Sequence, residues 1–344
     1  METSQNPPAA TWLQREDRTP SVRLTANTNY WDVVRGPHLQ EVVFRNDLSA
    51  EGALQLVCTT EGEVDIVTEV VPAKAEYVKN SPYAKLVSIE AIRILAGVIN
   101  RDAPGLPLGD KRARQALNLA IDREAVIEAL HGFAHPLAGL TPPSALKSLH
   151  KVKPYSHDPQ RALKLWRQSG RGIRNVLRIA SASKWEKVAR IVATQIQQAL
   201  ALPCEVSIYD AEEMRRIQRR LAEKKLPQEW DILLVEQGAQ AADSPPLEMH
   251  RAFAGQTGEL RAGPIVPEFE RIYEKLTRQT SVAKQGKFAY KLDRFVFEEA
   301  LALFLCAPEA LYAVNRHVNF VPYRTSFELA ESSVAEEHWS RRQV

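Results

Sequence analysis

The pattern of hydrophobic and polar positions changes character along the chain. Between residues 22 and 68, short runs of β-branched residues alternate with turn signals, which is typical of strands. The apolar run over residues 86–100 is rich in Ile, Leu and Val, and it predicts two short strands or one long crossing strand. From Asp110 onward apolar residues recur at helical spacing, and Asp122 and Asp158 also stand where helix N-caps are expected.

Strands and helices alternate beyond Gly170. The segment from Asp210 to Glu213 has the pattern of a capping box and predicts the start of a helix. The chain closes on two further predicted strands, residues 302–306 and 310–315. This alternation predicts a layered α/β lobe over roughly residues 170–310.

Composition narrows the class of protein only modestly. The 344 residues are 44% hydrophobic and 25% charged with a net charge of +3, which is typical of a globular chain and gives no electrostatic case for nucleic-acid binding. No apolar run is long enough to span a membrane, and the residues after Met1 lack the features of a signal peptide. Cys58, Cys204 and Cys306 form no CxxC motif and are predicted to be buried, reduced thiols.

Motifs that carry catalysis or bind cofactors are missing from the sequence. It has no GxGxxG, P-loop, GxSxG or HExxH pattern, so we predict no enzyme and no cofactor. His131 and His135 have the spacing of a helical metal pair, but Gly132 between them predicts that the helix has already ended. Residues 212–225 are rich in basic side chains around one apolar stripe, which favours a solvated amphipathic helix over a nucleic-acid site.

Several segments, in order along the chain, resemble the extracellular solute-binding proteins of family 5, the dipeptide-, oligopeptide- and nickel-binding components of ABC importers. The strongest is residues 110–124, DKRARQALNLAIDRE, which is similar to the family's signature almost position by position. We call residues 110–124 the signature segment. The other matching segments are Asn27–Trp31, Gly36-Pro37, His38–Arg45, Glu61–Ile66, Pro142-Pro143 and Tyr155–Gly170.

The resemblance implies an α/β, periplasmic-binding-protein-like fold (type II, family 5), a two-lobed clamp that closes on its ligand. Because family members are usually longer chains, we expect one complete lobe, residues 96–312. Residues 21–95 with 313–330 would form a partial first lobe, truncated at its N-terminal side. Residues 1–20 are predicted to be a flexible lead-in and residues 331–344 a loose tail.

The resemblance also suggests which side chains face the ligand. The family's peptide binders place an Asp for the peptide amine where this chain has Gln240, and a Trp near Gln237, while Asp243 matches a turn-forming Asp. The Arg that meets the ligand carboxylate in dipeptide binders falls on Ser183. Lys184 beside it could supply a point charge without the bidentate fork, and Trp185 completes this candidate ligand-binding set. The alternative, which the sequence favours, is that Ser183, Lys184 and Trp185 form an ordinary helix-entry loop.

The sequence therefore leaves two alternative functions. The first is a non-catalytic solute-binding component of a peptide-type ABC importer, with a peptide or small polar solute as ligand and permease subunits as partners. The alternative is a truncated, repurposed module that docks another protein subunit instead of a small solute. The resemblance implies a periplasmic or extracellular location, and a native start at Met1 would instead imply the cytoplasm.

Overall fold

The computed structural model describes residues 12–14, 21–32, 34, 36–143, 145, 152–170, 176–225, 229–239, 245–325 and 327–342. Its strands are β1 (Trp12–Gln14), β2 (Ser21–Ala26), β3 (Glu41–Arg45), β4 (Ile66–Val67), β5 (Ala84–Ile89), β6 (Arg93–Ile99), β7 (Ala134–Pro136), β8 (Leu177–Ala182), β9 (Cys204–Tyr209), β10 (Ile232–Gly238), β11 (Ala302–Pro308), β12 (Ala310–Asn315), β13 (Val318–Asn319) and β14 (Ser333–Val334). Its α-helices are α1 (Ala50–Thr59), α2 (Ala75–Lys79), α3 (Lys111–Leu119), α4 (Arg123–Ala129), α5 (Pro159–Gln168), α6 (Glu186–Leu200), α7 (Ala211–Ala222), α8 (Pro245–Ala254), α9 (Pro267–Thr277) and α10 (Val282–Glu298).

The chain divides into two compact units. Unit 1 comprises Met1–Ile89 and Ala310–Val344, and unit 2 comprises Glu90–Glu309. The apolar run over residues 86–100 forms two strands, the first of the two predicted alternatives, with β5 in a sheet of unit 1 and β6 in the sheet of unit 2. Within the described ranges, no helix has both the length and the apolar content that a membrane span needs.

Unit 2 is built on one six-stranded sheet, in the order β7-β11-β6-β10-β8-β9. Strand β10 is parallel to β8 and antiparallel to β6, and β11 is also antiparallel to β6. The carboxyl ends of β8, β9, β10 and β11 therefore lie at the same edge of the sheet as the amino end of β6. We call this the carboxyl edge.

Helices cover both faces of this sheet, because side chains alternate along each strand. On β6, Leu95 and Ile99 pack into a core shared with helices α3 to α6, whereas Ile94 and Val98 pack into a core shared with α7 to α10. Gly97 lies on β6, between strands β11 and β10, and a Cβ at this position would stand 2.8 Å from a methyl carbon of Ile232 on β10. A glycine at this point therefore lets β10 pack beside β6 without a clash.

The predicted helix starts are confirmed. Asp110 accepts a hydrogen bond from the Arg112 amide (2.7 Å) and so caps α3, and Asp122 does the same for α4. Asp158 caps α5, and Asp210 forms the predicted capping box at the start of α7. These caps satisfy amides that have no partner inside the helix, which fixes where each helix begins.

Unit 1 contains smaller sheets. Strand β12 lies at the centre of a three-stranded sheet in the order β4-β12-β5, and β1, β2 and β3 form a second, antiparallel sheet. Tyr312 on β12 packs edge-on against Phe320 and at a tilt to Phe327, with ring centroids 5.0 and 6.3 Å away. This aromatic cluster is the main apolar contact between β12 and the chain that follows it.

The prediction of a loose tail over residues 331–344 is wrong for residues 331–342. Strand β14 pairs with β13, and the Nε1 of Trp339 donates a hydrogen bond to Asp65 Oδ1 (2.9 Å). The Nε2 of His338 lies 3.0 Å from the same oxygen. These partners are far away in sequence, so the polar composition of the segment gave no sign of them.

The predicted flexible lead-in over residues 1–20 is also wrong in part. Residues 12–14 form strand β1, which pairs with β2 so that Trp12 is opposite Ala26. Its remaining residues lie outside the described ones.

Candidate functional site

The carboxyl edge of unit 2 carries the residues that the sequence marked for ligand binding. In open α/β sheets, ligands bind outside the carboxyl ends of the strands, because loops there can diverge and leave room. Residues 183–185 follow β8 directly as a short 3₁₀ helix that leads into α6. Gln237 is the penultimate residue of β10, the strand next to β8.

Glu236 is the centre of a charged cluster at this edge. One of its carboxylate oxygens accepts a hydrogen bond from Arg93 Nη1 (3.0 Å), and the other accepts one from Lys184 Nζ (2.8 Å). Arg93 also donates to the backbone carbonyls of Pro308 (3.3 Å) and Glu309 (2.6 Å). Each of the three guanidinium nitrogens therefore donates a hydrogen bond, whereas Lys184 is held by one carboxylate.

Exposure separates the two cations further. The Lys184 side chain is 44% exposed, against 18% for Arg93. The Lys184 ammonium lies 5.2 Å from the ring centroid of Trp185, which is itself buried in the core. Of the cluster, Lys184 is therefore the cation that can turn towards a bound solute.

The predicted site residues are brought together only in part. Lys184 and Gln237 both lie at the carboxyl edge, and Ser183 is exposed beside them. Gln237 Nε2 donates to the carbonyl of Gly238 (3.2 Å). Gln240 and Asp243 lie outside the described residues, so their proposed role in ligand binding stays a prediction.

Arg93 and Glu236 are residues of the site that the sequence did not single out. They meet because β6 and β10 pair in a register that places Arg93 opposite Gly238 and Glu236 opposite Leu95. That register brings together positions 143 residues apart in the chain. The available signal was that each of these two mostly apolar strands carries one charged residue, Arg93 at the start of β6 and Glu236 in β10.

His135 adds a second polar feature to this part of unit 2. Its Nε2 lies 3.3 Å from Oε1 of Glu90 and 3.3 Å from Oε1 of Glu309, but it is not aligned for a hydrogen bond with either. His131 lies beyond the end of α4 with a left-handed φ of 56°, so the two histidines do not share a helix face. Among the residues that the structure describes, no group of three His, Cys, Asp or Glu side chains is arranged to hold a metal ion.

The cysteines are free thiols, of which Cys58 and Cys306 are buried as predicted and Cys204 is half-buried. Burial, with a smaller contribution from the charge of Glu236, raises the pKa of Cys306 to about 12. Burial alone raises the pKa of Cys204 to about 12, and it also raises the pKa of Cys58. All three thiols therefore remain protonated at neutral pH, and the thiolate is the nucleophilic form.

Comparison with known protein families identifies the family to which this chain belongs. The model of the bacterial extracellular solute-binding proteins, family 5 Middle, matches residues 13–258. The chain belongs to this family. The resemblance carried by the signature segment is thereby confirmed, and the family 5 assignment explains why the predicted order of strands and helices is found in unit 2.

Curated relatives of this family 5 chain match less than half of it. A probable di/tripeptide-binding protein 5 from Pseudomonas aeruginosa is 28% identical over 154 residues, which are 44% of this chain and 28% of that protein. The dipeptide-binding protein of Escherichia coli is 23% identical over 159 residues, 46% of this chain and 29% of that protein.

Solved structures show the family 5 fold over nearly the whole chain. The ABC transporter substrate-binding protein CtaP from Listeria monocytogenes matches with a TM-score of 0.80 and 19% identity, covering 95% of this chain and 67% of CtaP. DppA from Helicobacter pylori, solved in complex with the peptide STSA, matches with a TM-score of 0.71 and 18% identity, covering 94% of this chain and 62% of DppA. The chain thus spans about two thirds of these structures, and under a third of the curated relatives in the aligned part.

Proposed function

We propose that this chain is the solute-binding component of a peptide-type ABC importer, that it contacts its solute at the carboxyl edge of unit 2, and that it catalyses no reaction. The proposed ligand is a peptide or a small polar solute, and the proposed partners are the permease subunits. The proposed location is the periplasm or the cell exterior. The observation that carries the proposal is the Lys184–Glu236–Arg93 cluster at the carboxyl edge of a family 5 fold.

The charge arrangement supports a solute that carries a carboxylate. Glu236 holds Lys184 at 2.8 Å, so a solute carboxylate would take the place of Glu236 as the partner of an exposed ammonium. The exchange replaces one charge-assisted hydrogen bond with another of the same kind. Arg93 stays with its carbonyl acceptors and keeps Glu236 in position.

The pKa values of the thiols argue against a cysteine nucleophile. A nucleophilic cysteine needs a lowered pKa, whereas those of Cys204 and Cys306 are raised to about 12. The solved relative DppA was crystallised with a peptide, and a curated relative is named a dipeptide-binding protein. Both names support a peptide as the first ligand to test.

A thermal-unfolding screen tests the proposed function. The purified chain is heated with dipeptides, tripeptides, free amino acids and nickel–histidine, each in large excess. A ligand at a hundred times its Kd stabilises the folded state by about 2.7 kcal/mol, and we expect a rise in Tm of about 4 °C with a peptide. If no compound raises Tm, the solute-binding proposal fails and the alternative, docking of another protein subunit, takes its place.

A further inference from the structure

Helices α9 and α10 form a groove that includes none of the residues of the carboxyl edge. It has a volume of about 310 Å³. Ile272 on α9 and Phe288 and Phe295 on α10 line it, and each is only partly buried against the core of unit 2. Phe288 and Phe295 are seven residues apart, so they stand on one side of α10, two turns from each other.

Charged side chains form the rim of this groove. Arg271 is paired with Glu268 on α9 (2.7 Å), and Arg294 is paired with Glu298 on α10 (2.7 Å). The hydrogen bond from Arg271 lowers the pKa of Glu268, so this pair stays ionised at neutral pH. Each of these two ion pairs has a net charge of zero.

Two lysines at the rim lie outside these two pairs. Lys291 is on α10, and Lys275 is on α9, where its charge also helps to lower the pKa of Glu268. The Lys291 ammonium lies 5.3 Å from the ring centroid of Phe288, above the apolar floor. The groove therefore has an apolar floor, and on each of its two helices the lining side chains carry one positive charge more than negative charges.

We propose that this groove docks an amphipathic helix of another protein whose apolar stripe is flanked by Asp or Glu. Two rows of side chains about two turns long offer the spacing that a third helix fills with apolar residues at i, i+3 or i+4, and i+7. Carboxylates beside that stripe would meet Lys275 and Lys291, which supplies the charge complementarity that orients a partner. The groove is formed by helices α9 and α10, so this docking does not depend on solute binding at the carboxyl edge.

Two labelled peptides of 18 residues test the proposal. Both are designed as helices with leucines at i, i+3, i+4 and i+7, and they differ only in carrying Glu or Lys beside the stripe. Fluorescence anisotropy measures the binding of each to the full chain. We expect the Glu peptide to bind at least about tenfold more tightly than the Lys peptide. Phe295→Ser should weaken the binding of the Glu peptide by a similar factor.

Charge reversal separates the groove from the general charge of the surface. The double variant K275E/K291E should reverse the preference between the two peptides. The control variant K284E/K287E makes the same change in charge at exposed positions of α10 that do not line the groove, and it should leave the preference unchanged. Circular dichroism confirms that each variant is folded.

Three outcomes would overturn the proposal. The first is equal affinity for the two peptides. The second is a preference that K284E/K287E changes as much as K275E/K291E does. The third is binding of the chain to vesicles of anionic phospholipid that K275E/K291E abolishes while the Glu peptide fails to bind, which would assign the groove to a membrane surface.

Discussion

Replacing Asn118 with leucine is expected to lower the free energy of unfolding by about 4 kcal/mol. Asn118 is fully buried in α3. Its Nδ2 donates to the carbonyl of Ala302 (2.9 Å), and its Oδ1 accepts from the amide of Phe304 (3.0 Å) and from Arg123 Nη2 (3.2 Å). Leucine fills a similar volume but leaves all three buried groups without this partner.

The charge on Arg123 makes this loss larger than that of a neutral hydrogen bond. Burial lowers the pKa of Arg123 to about 10, so the guanidinium is still protonated at neutral pH. Gln115, one turn earlier in α3, provides a matched control because it is partly exposed and its amide donates to the exposed side of the carbonyl of Glu298 (2.9 Å) rather than to buried strand groups. In urea denaturation, Gln115→Leu should cost less than about 1 kcal/mol. Equal losses for the two variants would show that Asn118 does not join α3 to β11.

Removing the Lys184 ammonium is expected to weaken the binding of a peptide with a free carboxylate by about tenfold. The same peptide with an amidated C-terminus should bind Lys184→Ala and the unmodified chain equally, because it has no carboxylate to lose. Lys187→Ala is the control. It removes the same charge one turn further along the chain, where Nζ donates to the carbonyl of Ala129 (3.2 Å).

Glu236→Gln should have the opposite effect on the affinity for a peptide with a free carboxylate. The amide keeps the shape of Glu236 but no longer competes as an anion for Lys184, so a carboxylate peptide should bind about threefold more tightly. Titration calorimetry measures all of these affinities. Lys184→Ala and Glu236→Gln both weakening the carboxylate peptide, or neither changing it, would contradict the exchange of one carboxylate for the other.

Local rules predicted much of the fold. The side chains of Asp110, Asp122, Asp158 and Asp210 cap helices as expected, because an N-cap bonds to amides two or three residues away. Strand positions followed in the same way from runs of β-branched residues. These features depend on neighbours in sequence, which the pattern of residues records directly.

Long-range polar contacts could not be predicted. The periodicity of α3 marks its Ala and Leu face as core, but Arg114 and Asn118 are buried on the same helix and bind carbonyls about 185 residues away. The bond between Arg93 and Glu236 depends on the register of two strands. Lys184 became a candidate only because the family resemblance places a ligand-binding residue beside it.

Hydrogen exchange with and without a saturating dipeptide tests the central claim, that solute binds at the carboxyl edge of unit 2. The dipeptide used is the one that gives the largest thermal shift. We predict slower exchange at residues 182–186 and 236–239, which carry Lys184 and Glu236. The claim would be contradicted if exchange did not slow in either of these two segments, whether or not other segments became protected.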